Sequence, residues 1–182
     1  PDEESLCFSA VFTLNEEAEV LDKWFGRTVI HSDRRFTYEE AQQIIETGKG
    51  DFAEEVLTLN RLAQRMRKTR FKHGAVSFQR EEAKFKLDAE GKPLSVYFKE
   101  QKEANQLIEE FMLLANKQVA EFCGHHKVNG RAVRRTMVYR VHDVPNEEKL
   151  EKFRTFVLRF GYVFKADKGR AVAKEMNKLL GQ

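Results

Sequence analysis

Apolar residues recur at every second position near the start of the chain and at helical spacing further along. In residues 6–14 every second side chain is apolar, which is typical of a strand with two different faces. A polar turn at residues 15–17 follows, and residues 20–31, interrupted by Gly26, return as a second strand. The chain is therefore predicted to open with a β-hairpin.

Two helix-start signals follow the predicted hairpin. Thr37 stands three residues before Glu40, the spacing of a capping box, and Gly48 ends the helix that begins there. Asp51 and Glu54 repeat this spacing before a longer helix. The apolar residues at helical spacing in the longer helix are Val56, Leu59, Leu62, Ala63 and Met66. We therefore expect two consecutive helices after the hairpin.

Strand patterns return in the middle of the chain. Short apolar runs around residues 76–78 and 83–87 predict two strands, and residues 94–98 predict another after a turn. Further along, residues 136–141 are predicted to form a buried strand. These strands add further short β-structure to the opening hairpin.

The strongest helical pattern covers residues 104–123 and is followed by Gly124 as a C-cap. Its apolar stripe comprises Leu107, Ile108, Phe111, Met112, Ala115, Val119 and Phe122. Asn146 starts a helix that ends near Gly161, and residues 169–180 predict a short final helix. Hairpins and blocks of helices indicate the α+β class, with mixed or antiparallel strands packed against several helices. No linker divides residues 1–182, so one domain is expected.

The composition is that of a folded, reduced protein. Of the 182 residues, 41% are hydrophobic and 34% are charged. No apolar run approaches the roughly 20 residues needed to cross a bilayer, and the acidic start is unlike a signal peptide. Cys7 and Cys123 are expected to be buried thiols, which favours a cytoplasmic location. The chain begins with Pro1 rather than Met, so we expect a processed form or a fragment.

Positive charge is concentrated in two stretches, although the formal net charge is only +3. Residues 60–74 and 122–142 contain several Lys and Arg but no carboxylate. Such clusters can neutralise backbone phosphates of a nucleic acid. A solvated helix face and a solvated loop explain the same pattern, so the charge alone leaves both interpretations open.

Sequence patterns that carry chemistry are scarce. Hydrolysis of phosphodiesters by two metals requires several converging carboxylates, but the aspartates are scattered and most paired glutamates begin helices. Residues 123–126 (CGHH) offer possible zinc ligands without a second pair at suitable spacing. Nucleophile-elbow, P-loop and dinucleotide-binding motifs are absent. The residues by themselves predict an α+β domain with two basic stretches.

Six runs, taken in order, resemble the RNB catalytic domain of the ribonuclease II superfamily. They are residues 7–12 (CFSAVF), 35–40 (RFTYEE), 74–78 (GAVSF), 82–85 (EAKF), 107–116 (LIEEFMLLAN) and 139–145 (YRVHDVP). The resemblance covers residues 6–162 and is closer to ribonuclease R than to ribonuclease II. It implies part of a domain that hydrolyses single-stranded RNA from the 3′ end to nucleoside 5′-monophosphates with Mg²⁺.

The resemblance also implies that this chain holds no catalytic or metal-binding residue. The family's aspartate cluster precedes the stretch in which Pro1 lies, and its arginine-bearing segment and S1 domain follow beyond Gln182. We therefore expect Mg²⁺ to bind the parent enzyme and not this piece, which is expected to be inactive alone. No protein partner and no membrane association are predicted.

Four residues are expected to contact RNA, three of them through the resemblance. Tyr38 corresponds to an aromatic residue that holds RNA near its 3′ end, and Phe78 to one on which terminal bases stack. Glu109 corresponds to a glutamate that contacts the ribose, where it can accept from the 2′-OH. Arg140, with His142 on the same face of a strand, can approach a phosphate. The structural alternatives are a half-buried Tyr, a core Phe, a solvated Glu and partners of nearby carboxylates.

Two other functions fit the residues. The chain could be a non-catalytic RNA-binding module, or an unrelated helical interaction domain with basic faces. Salt-dependent RNA affinity would separate the RNA-binding functions from the last, because phosphate contacts release counterions.

Overall fold

The computed structural model of the chain describes most of its residues. The described ranges are 3–76, 82–124, 127–128, 130–133, 136–141, 143–165 and 170–181. In chain order the elements are β1 (Glu4–Leu14), β2 (Val20–His31), α1 (Tyr38–Thr47), α2 (Ala53–Lys72), β3 (Glu82–Leu87), β4 (Pro93–Lys99), α3 (Glu103–Gly124), β5 (Lys127–Val128), β6 (Arg131–Ala132), α4 (Glu147–Leu158) and α5 (Arg170–Leu180).

Within these ranges the strands pair as antiparallel hairpins, β1 with β2, β3 with β4 and β5 with β6. Hairpins combined with helices confirm the predicted α+β class. The chain divides into two compact units, each built from two stretches. Unit 1 comprises Pro1–Arg67 and Lys102–Tyr139, and unit 2 comprises Lys68–Gln101 and Arg140–Gln182.

The opening hairpin of unit 1 confirms the prediction, but Gly26 does not interrupt it. β1 and β2 pair along their lengths, with Ala10 opposite Phe25 and a register shift only near the turn. The Trp24 side chain lies over Gly26, where an added Cβ would stand 2.3 Å from the ring. The glycine therefore makes room for the indole while the strand continues.

The capping box of α1 is confirmed. The Glu40 amide donates to Thr37 Oγ1 at 3.2 Å, and the Thr37 amide donates to Glu40 Oε2 at 2.7 Å. Both bonds satisfy amides that a helix start leaves unpaired. Gly48 closes the helix in the left-handed region, with φ of 69°.

The predicted start of α2 at Asp51 is wrong. Phe52 occupies the cap position, because its carbonyl accepts the first helical bond from the Val56 amide at 3.0 Å. Asp51 lies instead 3.5 Å from Arg34 Nε. The ion pair competes for the carboxylate that the sequence pattern assigned to the cap.

Helix α3 joins the other elements of unit 1. Its N-terminus is fixed by the Ala104 amide, which donates to Gln42 Oε1 of α1 at 3.0 Å. Near its other end, Phe122 packs on Phe25 of the hairpin, with ring centroids 4.9 Å apart. The predicted apolar stripe is only partly covered, since Leu107 is buried whereas Ile108 is 45% exposed.

Unit 2 is built around the last two helices. Asn146 caps α4 as predicted, with its Oδ1 accepting from the Lys149 amide at 3.0 Å. Leu150, Val157 and Phe164 form its buried core, against which Val172, Met176 and Leu179 of α5 and the side chain of Phe153 pack. The final helix is therefore held by apolar contacts with α4.

Two further predictions are wrong. Residues 136–141 form no strand, and Val138 is 95% exposed. Within the described part of the chain no neighbouring strand pairs with this segment, so its apolar pattern remains uncovered. Cys7 and Cys123 are half-buried rather than buried. The Cys7 thiol lies 2.9 Å from Thr28 Oγ1, and hydrogen bonds from Ser9 and Thr28 lower its pKa.

Of the helices that the structure describes, none combines the length and the apolar character that crossing a membrane requires.

Candidate nucleic-acid interface

A groove of about 570 Å³ lies in unit 1 between α1, the first half of α2 and the first turns of α3. Its wall is mainly apolar, with a few polar groups at the edge. The lining residues are Asp33, Arg34, Phe36, Thr37, Tyr38, Ala41, Phe52, Glu55, Val56, Leu59, Ala104, Leu107 and Ile108. A concave apolar surface with few polar groups is the usual form of a ligand site.

Tyr38 lies in this groove as the first residue of α1. The capping box fixes the backbone directly before it, because Thr37 and Glu40 each bond the other's amide. Tyr38 is 42% exposed, so it presents part of its surface to solvent. Its placement is compatible with the predicted contact to RNA.

Two phenylalanines that the sequence analysis did not single out share the groove with Tyr38. Phe36 and Phe52 meet edge to face, with ring centroids 6.5 Å apart and planes at 89°. The Arg34 guanidinium lies 5.1 Å from the centre of the Phe36 ring. The groove therefore contains three aromatic rings and a cation at one edge.

The backbone of Phe52 is held in an unusual conformation. Its φ is 53°, in the left-handed region that residues with a side chain rarely adopt. Two residues earlier, Gly50 has φ of 140°, and a Cβ there would lie 2.7 Å from Ile44 Cγ1. The turn between α1 and α2 thus directs the Phe52 ring into the groove. The Gly48 and Gly50 pair was the available sequence signal for such a turn.

Arg34, the cation at the groove edge, is paired with two carboxylates. Arg34 lies 3.0 Å from Glu40 Oε1 and 3.5 Å from Asp51 Oδ2. The pKa of Glu40 is lowered, first by the Thr37 amide, then by the Thr37 hydroxyl, and also by Arg34. Glu40 therefore remains ionised below its ordinary range, which keeps both the cap and the Arg34 pair in place.

Glu109 lies on α3 beside the groove but not in its wall. The preceding residue, Ile108, lines the groove, and successive helix residues point about 100° apart. The Glu109 side chain is 43% exposed, and its Oε2 lies 3.6 Å from an Arg67 guanidinium nitrogen. Tyr38 and Glu109 thus belong to one unit. Tyr38 lies in the groove, whereas Glu109 points to a different side of α3 from the one that lines the groove.

Glu110, which the sequence analysis did not single out, is buried. It is only 3% exposed, and its Oε1 lies 3.6 Å from the same nitrogen of Arg67. The sequence shows two adjacent glutamates inside a predicted helix, but it does not show which of the two faces inward. Because Arg67 compensates the charge of the buried Glu110 carboxylate, its role is structural. Its guanidinium is therefore not assigned to binding phosphate.

The remaining predicted contacts belong to unit 2 or lie outside the described residues. Arg140 is exposed in a segment without regular structure in unit 2, so the predicted strand placement is wrong. Phe78 and His142 lie outside the described residues.

The first basic stretch contains both paired and exposed cations. Arg61 is exposed, whereas exposed Arg65 lies 3.4 Å from Glu17. Arg67 forms ion pairs with Glu109 and Glu110 of α3. In the second stretch Arg131 is exposed, while several residues of that stretch lie outside the described ranges. Only part of the basic charge is therefore available to phosphate.

The described residues do not fit a magnesium centre. Among them no group of three or more His, Cys, Asp or Glu side chains could hold a metal ion. His125 and His126, considered above as zinc ligands, lie outside the described residues. No chemical step is therefore assigned to a metal on this part of the chain.

Curated relatives with exonuclease names match this sequence over most of its length. The DIS3-like exonuclease 2 of Schizosaccharomyces pombe is 36% identical over 195 aligned positions, which cover 98% of this chain and 20% of that protein. The inactive exonuclease DIS3L2 of Arabidopsis thaliana is 32% identical, over 100% of this chain and 18% of that protein. The chain thus spans about a fifth of the length of these relatives.

Solved structures share the fold. Mycoplasma genitalium RNase R in complex with double-stranded RNA superimposes with a TM-score of 0.82 at 18% identity, over 98% of this chain and 32% of that one. Its complex with ribose-methylated single-stranded RNA gives a TM-score of 0.81, also at 18% identity, over 98% of this chain and 28% of that one. The RNB domain family model matches residues 1–181. The chain therefore belongs to the RNB domain family of the ribonuclease II, ribonuclease R and DIS3 exoribonucleases.

Proposed function

We propose that this chain supplies part of the RNA-gripping surface of a hydrolytic 3′→5′ exoribonuclease that releases nucleoside 5′-monophosphates. The observation that carries the proposal is the groove of unit 1, where Tyr38, Phe36 and Phe52 line one concave surface. Membership of the RNB family supports the reaction class. The proposed setting is a full-length, cytoplasmic enzyme of ribonuclease R type.

Aromatic rings suit an enzyme that degrades RNA without regard to sequence. Every base has a flat π-face, and stacking on a protein ring contributes about 1–3 kcal/mol per base. The groove volume of about 570 Å³ lies within the roughly 300–1,000 Å³ typical of small-molecule sites. We propose that a base near the RNA 3′ end stacks in it against Tyr38.

Glu109 is proposed to recognise the ribose of the RNA. A half-exposed carboxylate can accept a hydrogen bond from a ribose 2′-OH, which DNA lacks. Phe78 is proposed to stack on bases and Arg140 to approach a phosphate. The RNase R structures that share the fold are complexes with ribose-methylated single-stranded RNA and with double-stranded RNA, which supports RNA as the ligand.

Magnesium is proposed to bind acids of the full-length protein that this chain does not contain. When bound, Mg²⁺ would activate water and neutralise charge on the phosphodiester. The residues of this chain would bind and orient the RNA.

The experiment compares the isolated chain with the full-length protein, each incubated with poly(A) and Mg²⁺. The full-length protein is expected to release AMP and the isolated chain none. Robust release of mononucleotides by the chain alone would contradict the division of roles, because it would require catalytic groups on this piece.

A non-catalytic RNA-binding module is the second candidate function. One relative, 32% identical over the whole chain, carries the name inactive exonuclease DIS3L2. Under this alternative the full-length protein would bind poly(A) without releasing AMP at any Mg²⁺ concentration. The same assay therefore separates the two functions.

A further inference from the structure

Helices α2 and α3 are joined in unit 1 by a row of polar contacts. Asn60 Nδ2 donates to Glu103 Oε2 at 2.8 Å. One turn further along each helix, Gln64 Nε2 donates to Gln106 Oε1 at 3.3 Å. The next pair of turns brings Arg67 to the two glutamates of α3. The row therefore fixes the register of α2 against α3 and ends at Arg67.

One guanidinium nitrogen of Arg67 faces two carboxylates. It lies 3.6 Å from Glu109 Oε2 and 3.6 Å from Glu110 Oε1. Exposure rises outward through this cluster, from 3% for Glu110 through 22% for Arg67 to 43% for Glu109. Arg67 therefore connects a buried acid with one that solvent or a ligand can reach.

The buried acid determines where Arg67 lies. A buried carboxylate is tolerated when a cation compensates its charge, so Glu110 restrains the guanidinium at the α2–α3 seam. The restrained guanidinium in turn attracts Glu109 Oε2 and limits the rotamers that this side chain samples. A pre-oriented acceptor loses less entropy on binding a hydroxyl than a mobile one does.

We infer that Arg67 is a positioning residue for Glu109 and that, anchored by Glu110, it sets the preference for ribose over deoxyribose. This inference rests on the proposed function, in which Glu109 accepts from the 2′-OH. Arg67 does not touch the RNA and acts through Glu109. The competing explanation is that Arg67 only compensates Glu110 and serves stability.

The test uses the full-length protein in EDTA, with RNA and DNA oligonucleotides of identical sequence as probes. Affinities are measured by fluorescence anisotropy for wild type, Glu109→Ala, Arg67→Met and the double variant. Arg67→Met is expected to lower the RNA-to-DNA affinity ratio by about 3- to 10-fold, comparable to loss of one hydrogen bond. The double variant is expected to match Glu109→Ala, because both substitutions disable one contact.

Two further variants separate positioning from stability. Arg67→Met removes the guanidinium that faces the buried Glu110 carboxylate, so combining it with Glu110→Leu removes this buried pair while Glu109 remains. That combination is expected to fold and to show the same lowered ratio. Arg61→Met removes an exposed cation from the same helix and is expected to leave the ratio unchanged, since it lowers RNA and DNA binding together.

Two outcomes would overturn the inference in distinguishable ways. If Glu109→Ala lowers the ratio but Arg67→Met and its Glu110→Leu combination do not, Arg67 has no positioning role. If Glu109→Ala itself leaves the ratio unchanged, the proposed ribose contact fails, and the role of Arg67 fails with it.

Discussion

The Phe52 ring meets the Phe36 ring edge to face, with centroids 6.5 Å apart, in the groove that Tyr38 also lines. The contact depends on a left-handed backbone at Phe52, whose φ is 53°. Backbone strain of this kind persists where surrounding contacts compensate it, often at ligand sites. The strained backbone of Phe52 therefore places its ring against Phe36 in the groove that is proposed to bind RNA.

Replacing Phe52 by Gly is expected to destabilise the chain less than replacing it by Ala, by about 1 kcal/mol. Both substitutions remove the ring, but only Gly adopts positive φ without steric cost. Urea unfolding measures the difference. Phe36, whose φ is not positive, is the control, and there Gly is expected to be less stable than Ala. Equal stability of the two Phe52 variants would show that the turn is unstrained.

Tyr38→Ala in the full-length protein is expected to weaken binding of single-stranded RNA by about 1–3 kcal/mol, because a stacking surface is lost. Tyr38→Phe keeps the ring and is expected to retain most of the affinity. Anisotropy titrations in EDTA measure both. If Tyr38→Ala bound RNA with unchanged affinity, the proposal that RNA binds in the groove would be wrong.

The capping box predicts a pH dependence of stability. Hydrogen bonds from Thr37 lower the folded pKa of Glu40 below its ordinary 4.5. The carboxylate therefore contributes stability that is present above the unfolded pKa and is lost as the pH falls through the folded pKa. Glu40→Gln cannot titrate, so the wild type is expected to lose its advantage over this variant in acid. A constant difference in unfolding free energy from pH 7 to pH 3 would contradict the assignment.

Arg67→Met is expected to lower the unfolding free energy by about 3–5 kcal/mol, because the buried Glu110 carboxylate then loses the guanidinium that faces it. Adding Glu110→Leu is expected to recover most of the loss. Arg61→Met is the matched control and is expected to change stability by less than about 0.5 kcal/mol. Urea unfolding would contradict the account if Arg67→Met and Arg61→Met behaved alike.

Features with local causes were predictable from the sequence. Thr37 and Glu40 formed the expected cap, Asn146 capped α4, and the alternation in residues 6–14 formed β1. The resemblance to the RNB domain directed attention to Tyr38, which does line a groove. For the two caps and for β1, the deciding interactions lie within a few residues of one another or follow a simple period.

Features that depend on distant contacts were missed. The groove role of Phe52 follows from a turn whose positive φ values no apolar pattern encodes. Which of Glu109 and Glu110 is buried depends on Arg67, which lies more than 40 residues earlier in the sequence. The apolar residues 136–141 match a strand pattern, but a strand also needs a partner to accept its hydrogen bonds.

Photocrosslinking tests the central claim most directly. Full-length protein in EDTA is bound to RNA that carries 4-thiouridine at its 3′-terminal position, irradiated, digested and mapped by mass spectrometry. The account predicts adducts on Tyr38 or Phe52, and their loss when excess unlabelled RNA competes. Adducts confined to residues outside the groove of unit 1 would contradict it.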